Sequence, residues 1–131
     1  MSISLDTIVL VRFFARDDID QYQRVATVLA SRLCHVQDTV ILELEWVLRK
    51  TFRYDRNAIA AVFDVMTNLE NLLLDDPDRL SKALRGYREG LDFADAFHLA
   101  GAFRHHTFMT FDLDLIKKAP HSFNQPTVTH P

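Results

Sequence analysis

The sequence predicts an α/β fold built round a small, mainly parallel central sheet. Short β-prone runs at residues 3–5, 72–74 and 107–111 alternate with helical patterns of apolar residues three and four apart. That order is what strand–helix–strand units produce. Glycine (3) and proline (4) are scarce among 131 residues, so regular elements with short connections must account for most of the chain. Hydrophobic residues at 48% and charged residues at 25% match a globular protein and exclude a disordered or fibrous one.

Taken in order, Ile3, Ser4 and Leu5 form a short buried strand that ends at Asp6. Residues 8–14 (IVLVRFF) are nearly all apolar, so periodicity alone does not separate strand from helix there; the N-terminus reads as a buried strand running into a helix. Asp17, Asp18 and Asp20 precede the helical pattern Tyr22, Val25, Leu29 and Leu33, as N-cap and dipole rules favour. Residues 34–37 are a short connection or strand. Asp38 or Thr39 then caps a helix bearing Val40, Ile41, Leu44, Val47 and Leu48, with Arg49, Lys50 and Arg53 at its basic end.

Asp55 and Asn57 open the clearest amphipathic stripe in the chain, Ile59, Val62, Phe63, Met66 and Leu69. Leu72 to Leu74 reads as a strand. Asp76-Pro77 starts a helix, because proline suits a first helical turn; Leu80, Leu84 and Tyr87 follow on one face and Gly90 stops it. Asp92 opens the next helix, with Phe93, Ala96, Phe97 and Ala100. The run 107–111 is β-prone and ends at Asp112, a short helix or turn spans 113–118, and an edge strand is expected at 127–129.

A length of 131 residues suits one domain, expected over residues 1–131. The single cysteine, Cys34, forms no internal disulfide and no Cys/His set has zinc spacing, so the chain reads as cytoplasmic. No apolar run approaches the roughly 18 residues of a membrane span. The N-terminus lacks a basic leader and a small-residue cleavage site, so it is a poor signal peptide. A net charge of −3 argues mildly against a nucleic-acid binder that relies on bulk charge.

Where the carboxylates lie carries more than their sum. Asp6, Glu43, Asp95 and Asp112 sit within apolar stretches, where an unpaired carboxylate is costly, and two of them end candidate strands. Open α/β sheets gather function beyond the carboxyl ends of their strands. Carboxylates converging there would repel one another and invite a hard divalent cation such as Mg²⁺ or Mn²⁺. Each has a plain alternative: Asp6 as a helix cap, Asp92 and Asp95 as capping residues, Asp112 and Asp114 as turn residues. Glu43 and Glu45, two apart, point to different faces of a helix. His98, His105 and His106 lack a suitably spaced third ligand, and Trp46 and Phe97 read as core rather than as a base-stacking platform.

In order and in flanking residues these positions resemble a family. Leu5-Asp6-Thr7-Ile8-Val9-Leu10-Val11-Arg12 resembles the opening motif of PIN domains, most closely the VapC toxins of bacterial toxin–antitoxin pairs. Glu43 to Arg49 resembles the second motif, Tyr87 to Gly90 with Asp92 to Ala96 the third, and Thr110-Phe111-Asp112 the fourth. The resemblance implies a PIN-like three-layer α/β/α fold and a Mg²⁺- or Mn²⁺-dependent endoribonuclease. It also implies a homodimer, inhibited by a small cognate antitoxin. By position it implies a metal site of Asp6, Glu43, Asp95 and Asp112, with Thr7 as a supporting hydroxyl and Asp114 as an accessory. The family usually carries a polar residue, most often Asn, where this chain has Ile8.

The reaction so implied is metal-assisted hydrolysis of RNA phosphodiesters. With those four carboxylates set aside, the formal charge of −3 becomes +1, and Arg12, Arg16, Arg49, Lys50 and Arg53 are candidate RNA contacts. A catalytically weak module that binds RNA or an antitoxin without cutting is the competing reading, motivated by Ile8. The stripe of Phe63 and Met66 would serve a dimer or the monomer's own core equally well.

Overall fold

A computed structural model describes residues 2–131. The chain divides into two compact units, the first ending at Asp76 and the second running from Pro77 to Pro131. Strands and helices alternate through both, and the described strands pair only in parallel. The α/β class expected from the sequence is therefore observed.

In the first unit, strands β1 (Ile3–Ser4), β2 (Cys34–Val36) and β3 (Leu72–Leu74) form a sheet in the order β1-β2-β3. Ile3 aligns with Cys34, and Cys34 with Leu72. Leu5, expected in the strand, lies just past it, and its N–H donates to the His35 carbonyl at 2.9 Å. The ambiguous run 8–14 is helical throughout, within α1 (Thr7–Ala15). Asp6 supplies the reason: its side chain accepts from the Thr7 N–H and ends the extended backbone there.

Helix α2 (Ile19–Ser31) starts where its acidic residues indicate, with Asp18 capping the Gln21 N–H. Its apolar stripe, however, contains no buried residue. Tyr22 instead stacks on Phe13 of α1 at 5.5 Å between ring centroids, and Val25 and Leu29 are half-buried. Helix α3 (Asp38–Lys50) buries Ile41, Leu44 and Leu48. Neither Asp38 nor Thr39 is its cap: Gln37 holds that position without a side-chain bond. A carboxylate from outside the helix does the capping, since Asp75, just past β3, accepts from the Asp38 N–H at 2.9 Å. Arg53 lies beyond the helix end, in a left-handed conformation (φ 57°).

Helix α4 (Arg56–Asn68), capped by Asp55, buries Ile59, Val62, Phe63 and Met66. Phe63 and Met66 are fully inaccessible, so the stripe that might have served a dimer belongs to the chain's own core.

The second unit opens with α5 (Pro77–Arg88) and α6 (Phe93–Gly101), which pack on each other. Gly90 ends α5 as expected, with φ at 108°. The Leu91 N–H reaches back to the Gly86 carbonyl at 3.0 Å and the Gly90 N–H to Tyr87 at 3.1 Å. That paired arrangement needs a left-handed residue at Gly90. Leu91 is buried after it, which fixes where Asp92 begins the next helix. Behind the turn Tyr87 meets Phe93 edge to face, and Phe93 stacks on Phe97. Strands β4 (Thr107–Met109) and β5 (Thr127–Thr129) form a two-stranded parallel sheet, with the short helix α7 (Leu113–Lys118) between them.

Candidate metal centre

Each unit carries one acidic pocket at the carboxyl end of a parallel strand. In the first, Asp6 follows β1 and lines a pocket of about 280 Å³ with Thr7, Ile8 and Glu43. Asp6 Oδ1 accepts from the Thr7 N–H at 2.7 Å, and its Oδ2 makes no hydrogen bond among the described residues. Thr7 is buried, and its hydroxyl donates to Glu43 Oε1. The first turn of α1 thus ties the two carboxylates of this pocket to one residue: Asp6 through the Thr7 backbone and Glu43 through the Thr7 side chain.

Of Glu43 and Glu45, left open by the sequence, only Glu43 lines the pocket. Glu45 is buried and paired with Arg49 one turn on, at 2.8 Å. Glu43 is exposed and faces the pocket. Arg12 is also committed, to Asp17 at 3.1 Å and to Gln21 at 2.6 Å, and Arg16 lies over the Tyr22 ring.

In the second unit, Asp92, Asp95, Asp112, Asp114 and Lys118 line a pocket of about 120 Å³. Asp92 caps α6 by accepting from the Asp95 N–H at 3.2 Å. Asp112 caps α7 by accepting from the Leu115 N–H at 3.1 Å through Oδ1, while its Oδ2 makes no hydrogen bond among the described residues. Thr110 Oγ1 accepts from the Asp112 N–H at 3.0 Å. Asp114 forms an exposed ion pair with Lys118 at 2.9 Å. Burial holds the Asp95 carboxyl above the ordinary carboxylate range, and the negative charges of Asp92 and Asp112 push it further the same way, against a smaller opposing effect of His98. This is a pocket with more negative charge than its own residues neutralise.

The sequence profile of the PIN domain family matches residues 3–120, a stretch that includes all four acidic positions. The chain belongs to the PIN domain family. PIN domains are in general metal-dependent nucleases that bind RNA. No curated protein sequence matches the chain.

The donor set of this PIN domain fits a hard divalent cation. Every candidate ligand is a carboxylate oxygen, the donor that Mg²⁺ and Mn²⁺ prefer. The capping aspartates spend one oxygen on a helix N-terminus and keep the other. Within either unit, no three His, Cys, Asp or Glu side chains among the described residues lie close enough to hold an ion by themselves. The structure brings Asp6 and Glu43 to one pocket, and Asp95, Asp112 and Asp114 to the other.

Three expectations are corrected here. Asp6, Glu43 and Asp112 are exposed, and only Asp95 is half-buried, because strand ends and helix N-termini open to solvent even when their sequence neighbours are apolar. The capping and ligand readings also prove compatible rather than exclusive. Trp46, read as core, is 54% exposed, whereas Phe97 is buried as expected. His98, His105 and His106 are exposed.

One feature escaped sequence reading altogether. His35 Nε2 lies 2.6 Å from Asp75 Oδ1. The Asp38 N–H bond, with His35 adding to it, holds the Asp75 carboxyl below the usual range. These residues are 40 positions apart, and only the β2–β3 pairing makes them neighbours, so no local spacing announces them. No helix among the described residues is long and apolar enough to cross a membrane.

Proposed function

We propose that the chain is a toxin-type endoribonuclease of the VapC kind. In this reading residues 1–131 form a single PIN domain that cuts RNA with Mg²⁺ or Mn²⁺ in the cytoplasm, acts as a homodimer and is held in check by a small antitoxin. The observation that carries the reading is the family match over residues 3–120, which contains an acidic residue at each of the four motif positions. The toxin subtype, the antitoxin and the dimer rest on the motif resemblance.

Asp6, Glu43, Asp95 and Asp112 are the proposed ligands, Asp6 and Asp112 through the oxygen that capping leaves available. When bound, the ion supplies charge neutralisation at the scissile phosphate and activates a water for attack. Thr7 orients Glu43 through its hydroxyl and Asp6 through its N–H. Asp95, poorly solvated and beside two other carboxylates, gains most from a cation and so makes the pocket's affinity depend on it. Asp114 serves as an accessory, its charge offset by the ion pair with Lys118.

A second reading has an observation of its own. Ile8 is 48% exposed and lines the first pocket, offering neither donor nor acceptor where the family usually has a polar side chain. A PIN domain that binds RNA or its antitoxin without cutting would tolerate this.

Purified protein incubated with total tRNA and rRNA fragments in Mg²⁺, Mn²⁺ or EDTA, beside Asp95→Asn, separates the two. Discrete cuts that need metal and vanish in the variant support the nuclease. A folded protein that binds RNA and leaves it whole in every condition supports the binding module.

A further inference from the structure

We propose that Trp46 is a stacking platform for an unpaired RNA base next to the scissile phosphate, with Lys50 and Arg53 taking the phosphates beyond it. The inference rests on the ribonuclease reading and adds to it how the strand is held.

Trp46 is the single tryptophan of the chain and is 54% exposed. Among the described residues it makes no hydrogen bond, ring contact or cation–π contact. Its position on α3 connects it to the candidate centre. Residues three apart on a helix are surface neighbours, about 5–6 Å between Cβ atoms, so Trp46 stands beside Glu43, which lines the first pocket. Lys50 is one further turn along the same face, and Arg53 follows just past the helix end. Both cations are exposed and form no ion pair among the described residues. Arg12, Arg24 and Arg49, by contrast, are each bound to a carboxylate of the chain.

The face therefore runs carboxylate, indole, ammonium, with Arg53 past its end. From Glu43 to Lys50 it extends about 10 Å at 1.5 Å per residue. A single strand presents that sequence of needs: a phosphate at the metal, a base with an open face, and phosphates beyond. An indole accepts any base, because every base has a π-face. A duplex keeps its bases stacked on one another and offers Trp46 none. A second protein copy or a peptide would gain from the indole too, but would need carboxylates at the right places to pair the two cations, whereas a nucleic-acid backbone carries a phosphate at every step.

The lone tryptophan makes the test direct, since all indole emission comes from residue 46. A ten-nucleotide single-stranded RNA is titrated into the protein in EDTA, and again with Mg²⁺ into Asp95→Asn. A matched duplex and an abasic oligonucleotide of equal charge serve as controls. Saturable quenching by the single strand, and little by the other two, is expected. Trp46→Ala should weaken binding of the single strand about tenfold or more, Trp46→Phe clearly less, and in cleavage the loss should fall on KM rather than kcat. Lys50→Ala should reduce the salt dependence of binding by about one phosphate contact.

Binding of RNA with unchanged emission and an undiminished Trp46→Ala variant would overturn the inference and leave the nuclease reading intact. Failure of every RNA to bind or be cut would remove both. Emission that responds to protein concentration and not to RNA, with a doubled mass by light scattering, would assign the face to a second copy and overturn the proposal.

Discussion

Replacing Thr7 by valine should damage cleavage more than stability. Thr7 is 4% exposed, and its hydroxyl donates to Glu43 Oε1 while its backbone N–H donates to Asp6. Valine is close in shape and shares the branched Cβ that restricts χ1, so the N–H bond to Asp6 survives and no buried donor is orphaned. A hydrogen bond to an ionised group contributes about 1.5–3 kcal/mol. Glu43 is exposed, and water replaces the lost donor at its carboxylate, which brings the cost down to about 1 kcal/mol. For a chain of this size that is a fall of roughly 3–5 °C in melting temperature. Freed from Thr7, the Glu43 carboxylate samples rotamers that do not face the pocket. A misorientation costing about 1.4 kcal/mol in the transition state slows cleavage about tenfold. Thermal melts give the first quantity, and single-turnover cleavage of RNA in Mg²⁺ gives the second. Thr7→Ser, which keeps the hydroxyl, should recover most of the rate. Cleavage by Thr7→Val at the wild-type rate would refute the positioning of Glu43 by this bond.

Asp95 and Asp75 lead to predictions of opposite sign. The Asp95 carboxyl is raised in the fold, by burial first and then by Asp92 and Asp112, so the native state holds its proton longer than the unfolded chain. Stability should then decline as pH rises through the window between the ordinary and the raised value. Metal-free Asp95→Asn should lack that decline and melt higher than wild type at pH 7. Mg²⁺ at a hundred times its Kd should stabilise the wild type by about 2.7 kcal/mol and this variant far less; equal stabilisation of both in calorimetry would exclude Asp95 as a ligand. The Asp75 carboxyl is lowered, chiefly by the Asp38 N–H. Its contribution is therefore complete above the ordinary carboxylate range and is lost as pH falls through the lowered value. Asp75→Ala should cost about 0.5–1 kcal/mol at pH 7, the low end for a helix cap, and the gap to wild type in urea melts should close toward pH 2. A gap that stays constant with pH would show that Asp75 does not cap α3.

The sequence alone determined most of the local architecture, because local architecture follows from neighbours in the chain. Asp18, Asp55, Asp92 and Gly90 mark helix boundaries through their own hydrogen-bonding and backbone preferences, and α2, α4, α5 and α6 begin or end there. The three-and-four spacing of Ile59, Val62, Phe63 and Met66 predicted a buried face, and that face is buried. The acidic motifs, in their order, were enough to suggest the PIN family over the whole chain.

Tertiary structure decided what spacing leaves degenerate. Residues 8–14 are apolar almost throughout, and only packing selects Leu10 and Val11 as the side chains of that run that α1 buries. Tyr22, Val25 and Leu29 have the pattern of a core helix, yet only packing shows that α2 buries none of them. Glu43 and Glu45 are equivalent in composition, and the rotation of α3 sent one to the pocket and the other to Arg49. Trp46 carries a hydrophobicity that predicts burial, but the same rotation left it on the open face. Asp75 and His35 meet only because β3 lies beside β2. A sequence specifies what a residue can do with its near neighbours, and the fold specifies which distant residues and how much water it meets.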